Sequence, residues 1–187
     1  MDKKKTLLTL SALALGSVAY NLLKPIRSKV DAVSPFELDR YLGQWYEIAR
    51  LDFIWEKNLK NVTAVYQKNE DGSVRVENSG THVRTGQRKV SVGKAKFVGS
   101  TDSGSLKVSF FGPFYSGYHI VQLDDNYRHA LVFGDNLDYL WILSRSTEIP
   151  VSVRDRYLQF AQVHGYDIDK LVWTPHDKDA SVDQSPS

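Results

Sequence analysis

Histidine and carboxylate side chains are the residues here with most capacity for chemistry, and their spacing organises none. The five histidines, His82, His119, His129, His164 and His176, share no metal-ligand spacing on one face and form no His-Glu-x-x-His. Only His119 and His129, on neighbouring predicted strands, are placed to approach each other. Asp124-Asp125 and the pair Asp135 and Asp138 read as paired catalytic carboxylates or as turn residues, and the turns fit better. Short acidic side chains favour that backbone geometry. No Gly-x-Ser-x-Gly elbow and no phosphate-binding glycine loop occurs. The chain has no cysteine, which excludes disulfides, thiolate nucleophiles, cysteine-bound zinc or iron–sulfur clusters, and acylation on cysteine. No catalytic residue, metal or cofactor is therefore assigned, and the expectation is not an enzyme.

The elements that would position any site are read from alternation. From Gly43 onward the pattern has period two with turns at short intervals, predicting strands over 44–53, 62–68, 73–80, 89–99, 105–111, 117–123, 127–134 and 138–145. Asp71-Gly72 supplies the positive φ that a tight hairpin needs. Eight short strands without intervening helices imply a sandwich or an up-and-down barrel. Two helices flank them. Ser34-Pro35-Phe36-Glu37 reads as a start signal, with Ser as N-cap, for a short helix to Tyr41. Residues 152–164 carry Val153, Tyr157, Phe160 and Ala161 on one helical face, with Gly165 as a cap. A further strand is expected at 171–174.

Charge divides the 187-residue chain unevenly. Its net +2 is composed of +5 in residues 1–30 and −3 in the remainder, so the folded body lacks the basic stripe of a nucleic-acid binder. Lys3-Lys4-Lys5 precedes an uncharged run over 6–23 with seven leucines, and Lys24, Arg27 and Lys29 close it. As a helix this run spans about 27 Å against a hydrocarbon core of about 30 Å. Ser17-Val18-Ala19 offers a cleavage site, but the apolar run continues to Leu22-Leu23. Both readings, an uncleaved membrane anchor and a cleaved signal, imply export. The expected organisation is an anchor or signal at 1–23, a linker at 24–34, one barrel domain at 35–174 and a flexible tail at 175–187.

The segment Gly43-Gln44-Trp45-Tyr46-Glu47-Ile48-Ala49-Arg50 resembles the Gly-x-Trp opening strand of the lipocalins. Support comes from Lys107-Val108-Ser109-Phe110-Phe111-Gly112-Pro113-Phe114-Tyr115, from Tyr127-Arg128-His129-Ala130-Leu131-Val132, and from Asp138-Tyr139-Leu140-Trp141-Ile142-Leu143-Ser144-Arg145. Covering about 35–174, the resemblance is strongest to the bacterial outer-membrane lipocalins and the apolipoprotein-D-like branch. It implies an all-β fold, an eight-stranded antiparallel up-and-down barrel closed at one end and open at the other. It also implies binding of a small lipophilic ligand, in the bacterial branch a fatty acid or lysophospholipid, stored or transported in the cell envelope. Bacterial relatives are often lipoproteins, and the missing cysteine leaves the N-terminal segment as the route to the membrane. A homodimer is compatible with the sequence but not specified by it.

An eight-stranded barrel has room for packed side chains or for one small ligand. Alternation places Leu106, Val108 and Phe110 on one face, Val74, Val76 and Asn78 on another, and Val62, Ala64 and Tyr66 on a third. Polarity does not choose between the face of Tyr118, Ile120 and Gln122 and that of His119, Val121 and Leu123. Tyr118 and Trp141 are assigned inward because aromatics at the matching family positions line the cavity. The expected ligand-binding residues are Tyr66, Val76, Asn78, Leu106, Val108, Phe110, Tyr118 and Trp141. In the family an arginine of the last barrel strand stacks over the Gly-x-Trp indole, which casts Trp45 and Arg145 as a structural pair at the closed end. Competing readings are a solid core, a carrier of haem or another pigment with His119 as the axial candidate, and an enzyme acting on a lipophilic substrate.

Overall fold

Alternating side chains on nine strands leave one face apolar along each, and the chain buries those faces by rolling the sheet up. The structure is a computed structural model and describes residues 29–51 and 58–177. The expected anchor at 1–23, residues 24–28 of the linker and the last ten residues lie outside the described residues. A short helix α1 (Leu38–Tyr41) leads into β1 (Gly43–Leu51). Then follow β2 (Leu59–Lys68), β3 (Val74–His82), β4 (Arg88–Phe97), β5 (Ser105–Phe111), β6 (Phe114–Leu123), β7 (His129–Phe133) and β8 (Leu140–Ser144). Helix α2 (Val151–Val163), a 3-10 turn (Ile168–Lys170) and β9 (Leu171–Trp173) complete the fold.

Every pairing is antiparallel between sequence neighbours, from β2 through to β8, and β1 closes the ring. Its first half pairs with β2, Gly43 opposite Tyr66, and its other edge pairs with β8, Arg50 opposite Trp141. β9 pairs with the last residues of β1, Leu51 opposite Leu171, outside the eight-stranded ring. One barrel end is crossed by α1 and by the segment before it; the other carries the β3–β4, β5–β6 and β7–β8 connections and is the mouth.

Two apolar cores follow. Inside the barrel, Trp45, Tyr66, Val76, Leu106, Ile120 and Val132 are buried together. Between the outer wall and α2, Leu131, Phe133, Ile142, Tyr157 and Ala161 form the second. Helix α2 is fixed by Tyr157, fully buried, whose hydroxyl donates to His129 O at 2.9 Å. Burial pushes that phenol up to about 12. Gly165 ends the helix with φ at +89°, as its sequence position predicts.

Three expectations are corrected. The helix starts at Leu38 and not at the Ser-Pro signal, since Glu37 is extended and no side chain caps it. Ser34 Oγ and the Phe36 N–H both donate to Asp102 O, and the Glu37 N–H donates to Tyr127 Oη. These tertiary bonds hold the segment across the closed end and override the local capping pattern. In β6 a bulge between Ile120 and Gln122 reverses the alternation, so Leu123 joins the inner core and Gln122 does not. At the C-terminus, residues 175–177 are tied down. Pro175 O accepts from the Asn61 N–H, and Asp177 meets Lys60 Nζ and Asn61 Nδ2, each at 2.8 Å.

The barrel interior as candidate ligand site

At the floor, Gly43 is left-handed, with φ at +88°, which turns the chain from α1 into β1 and delivers Trp45 to the interior. Trp45 is completely buried, and its Nε1–H donates to Tyr41 O at 2.8 Å. Arg145 follows β8 and lies over the indole with Cζ at 3.9 Å from the ring centroid. Its guanidinium also donates to Gln44 O at 2.7 Å, Leu42 O at 2.9 Å, Arg40 O at 3.0 Å, Tyr41 O at 3.1 Å and Tyr127 O at 3.2 Å. Five carbonyls and an indole thus surround this cation. It seals the end where α1 meets β1, and its contacts are with protein groups.

Above the floor rises a column of aromatic rings. Tyr41 lies 4.7 Å from Trp45 and 5.4 Å from Tyr66, centroid to centroid. Tyr118 Oη joins Tyr41 Oη at 2.6 Å and Tyr66 Oη at 2.8 Å. Tyr118 then stacks on Trp141 at 6.4 Å, and Trp141 on Tyr139 at 6.2 Å. The column runs from the sealed floor toward the β7–β8 connection at the mouth. Burial first, then the neighbouring phenols, pushes the Tyr41 and Tyr118 hydroxyls well above the ordinary tyrosine value. They remain neutral and exchange hydrogen bonds without carrying charge.

The remaining expected lining residues share this interior. Val76, opposite Tyr66, and Leu106, opposite Tyr118, are buried in the inner core. Val108 and Phe110 pack against it from nearer the mouth. Phe110 lies so close to β4 that a Cβ on Gly93 would meet its Cδ1 at 2.8 Å and Ser109 O at 2.7 Å, so a side chain at 93 is incompatible with this packing. Asn78, half-buried, pairs with Ala64 and Ser91 toward the mouth. Sequence reasoning missed Tyr41, which completes the hydroxyl cluster, and Leu123, which the bulge turns inward. Only Tyr41's place two residues before Gly43-x-Trp signals its role.

His119 is directed away from this interior, between the inward Tyr118 and Ile120, and Ser105 Oγ meets its Nδ1 at 2.9 Å. The pigment-ligand expectation for it is therefore not met. Nor is it near His129, because the register sets it opposite Phe133, four residues along β7. Among the described residues no three histidine, aspartate or glutamate side chains are grouped to hold a metal.

A barrel sealed at one end by a stacked arginine, with an aromatic and aliphatic interior, defines the class of protein: an up-and-down barrel of the kind that encloses packed side chains or a small apolar ligand. Residues 36–176 match the family model described as a lipocalin-like domain, and the chain belongs to that family. It is 48% identical over 144 residues to the outer membrane lipoprotein Blc of Escherichia coli strain K12, covering 77% of this chain and 81% of that protein. With the Vibrio cholerae protein of the same name it shares 43% over 162 residues, 86% of this chain and 95% of the relative. Apolipoprotein D of Macaca fascicularis is more distant, 27% identical over 146 residues and covering 74% and 76% of the two chains. Among solved structures, insecticyanin from the tobacco hornworm superposes with a TM-score of 0.66 at 22% identity, covering 82% of this chain and 88% of that one.

Proposed function

We propose that the protein takes a single-chain lipid, a fatty acid or a lysophospholipid, into the barrel and stores or carries it. Its place is the bacterial cell envelope, membrane-associated, the compartment carried in the names of its Blc relatives. The observation that supports the ligand class is the aromatic column from Trp45 to Tyr139, faced by Val76, Leu106, Val108 and Phe110. Apolar walls suit an acyl chain, and burying about 12 methylenes at about 0.8 kcal/mol each gives at most about 10 kcal/mol before ordering costs. The Asn78 amide, nearer the mouth, supplies a hydrogen bond to a headgroup, while Tyr66 and Tyr118, whose hydroxyls bond each other and Tyr41 above the floor, border the far end of the chain. The bound lipid is exchanged reversibly and is not chemically changed.

Titration with a fluorescent fatty-acid analogue tests this, comparing the natural protein with Val108→Trp. In a hollow barrel the indole occupies ligand space, so binding is lost while the fold melts normally. In a solid core the substitution overpacks and costs about 1–3 kcal/mol. A folded natural protein that binds no analogue, with a strongly destabilised Val108→Trp, contradicts the proposal.

A further inference from the structure

We propose that the barrel mouth docks on an anionic lipid surface through the β3–β4 and β5–β6 hairpins. Both turns lie at the mouth on neighbouring strands; β4 pairs with β5 over 94–97, opposite 106–109, so the β3–β4 hairpin reaches beyond the β5–β6 tip. Each raises apolar side chains into solvent. Phe111 is 77% exposed, Phe114 50% and Val83 51%. Two phenylalanines flanking Gly112-Pro113 at a hairpin tip serve neither core: Phe110 already provides the inward ring there, and it is packed.

The charge on the β3–β4 hairpin is of one sign. Arg84, Arg88 and Lys89 are exposed on the neighbouring hairpin, and residues 81–92 and 111–116 contain no Asp or Glu. On the far side of β6 the β7–β8 connection brings Asp135 and Asp138 to the same end, so the cationic patch is confined to the β3–β4 hairpin. Exposed aromatic rings flanked by cations are the pattern by which a surface enters the headgroup region of a bilayer containing acidic lipids. A protein partner would have to offer an acidic, apolar groove to both hairpins at once. A bilayer offers both properties across its whole surface.

The attachment of the N-terminal segment is separate. Residues before α1 cross the opposite end, where the Val33 N–H donates to Ile120 O, Val33 O accepts from the Gly104 N–H, and Phe36 is bonded to Asp102. The two membrane contacts can therefore be read independently in the full chain. Because the natural sequence lacks cysteine, one thiol can be introduced at a chosen end. Gly112→Cys suits the mouth, where a Cβ meets nothing within 4 Å, and Ser100→Cys, exposed between β4 and β5, suits the closed end.

Each full-length variant is labelled with an environment-sensitive dye and mixed with phosphatidylglycerol–phosphatidylethanolamine vesicles or with phosphatidylcholine vesicles. The expected result is a blue shift and about a twofold gain in emission from the label at 112 on the acidic vesicles only. The gain falls by more than half in about 0.5 M salt, where screening is strong. It disappears in Phe111→Ser/Phe114→Ser, whose melting curve stays unchanged because both rings are solvent-exposed. No gain at 112, or an equal gain at 100 and 112, overturns the proposal. A rise at 112 that grows with protein concentration and needs no vesicles also overturns it, by assigning the patch to a second copy of the chain. None of these readings depends on whether the barrel holds a fatty acid, which the titration above decides separately.

Discussion

Arg145 meets five backbone carbonyls and one indole, so its removal strips partners from α1, from the start of β1 and from the chain before β7 at once. Cation–π stacking is worth about 0.5–2 kcal/mol, and carbonyls left without donors add to it, so Arg145→Ala should cost about 2–4 kcal/mol. In a chain of this size that lowers the melting temperature by roughly 4–16 °C. The identity of the bound ligand should stay the same, since the guanidinium contacts protein groups at the sealed floor. Loss of binding in a variant whose melting temperature is normal would contradict that role. A second residue-scale expectation concerns acid. Burial holds the His119 imidazole below its ordinary value of 6.5, with Asp135 opposing, and burial does the same to His129. The unfolded chain therefore binds protons more readily than the folded one just below pH 6.5, and stability must fall as pH falls through that interval. Thermal melts from about pH 7.5 to about pH 5 should show the decline, and His119→Gln should flatten part of it. An unchanged slope in His119→Gln would show that this ring is not a source.

At the scale of elements, the strand after α2 is held to the barrel by a buried polar clasp. Glu47 Oε1 accepts from Arg50 Nη1 at 2.6 Å and from Thr174 Oγ1 at 2.6 Å, and His176 Nε2 donates to Glu47 O at 2.8 Å. Glu47→Ala removes the buried acceptor shared by Arg50 and Thr174 and should cost about 3–5 kcal/mol, whereas Glu47→Leu/Arg50→Met should recover much of that. Chemical denaturation of the two variants tests it, and equal losses would refute the clasp. This clasp was not legible in the sequence, because Thr174 and His176 lie more than a hundred positions from Glu47 and only the pairing of β9 with β1 brings them together. Legibility followed local pattern elsewhere too. Residues 105–111 alternate without interruption, and their bounds and inward face agree with β5. In β6 the alternation leads in the wrong direction after Ile120, because a bulge leaves no local mark in residue type. The Ser-Pro-x-Glu signal misled for a related reason: its capping groups are engaged by Asp102 O and Tyr127 Oη, partners far away in the chain.

For the whole molecule, the ring of strands separates a sealed floor from the end that carries the β3–β4, β5–β6 and β7–β8 connections and keeps the aromatic column between them. Seven of the eight expected lining residues belong to or pack on the inner core, and Asn78 lies on the same face of β3 as Val74 and Val76. That outcome reflects period-two alternation, joined at Tyr118 and Trp141 by a family resemblance that supplied the choice of face. Whether an acyl chain occupies this interior is the central claim, and ligand extracted from the full-length protein purified from bacterial membranes tests it most directly. Mass spectrometry of the organic extract, referred to protein concentration, should reveal a fatty acid or lysophospholipid approaching one per barrel, and markedly less from Val108→Trp prepared identically. An extract dominated by a pigment, or one in which single-chain lipids are equally abundant from the natural protein and from folded Val108→Trp, would contradict the account.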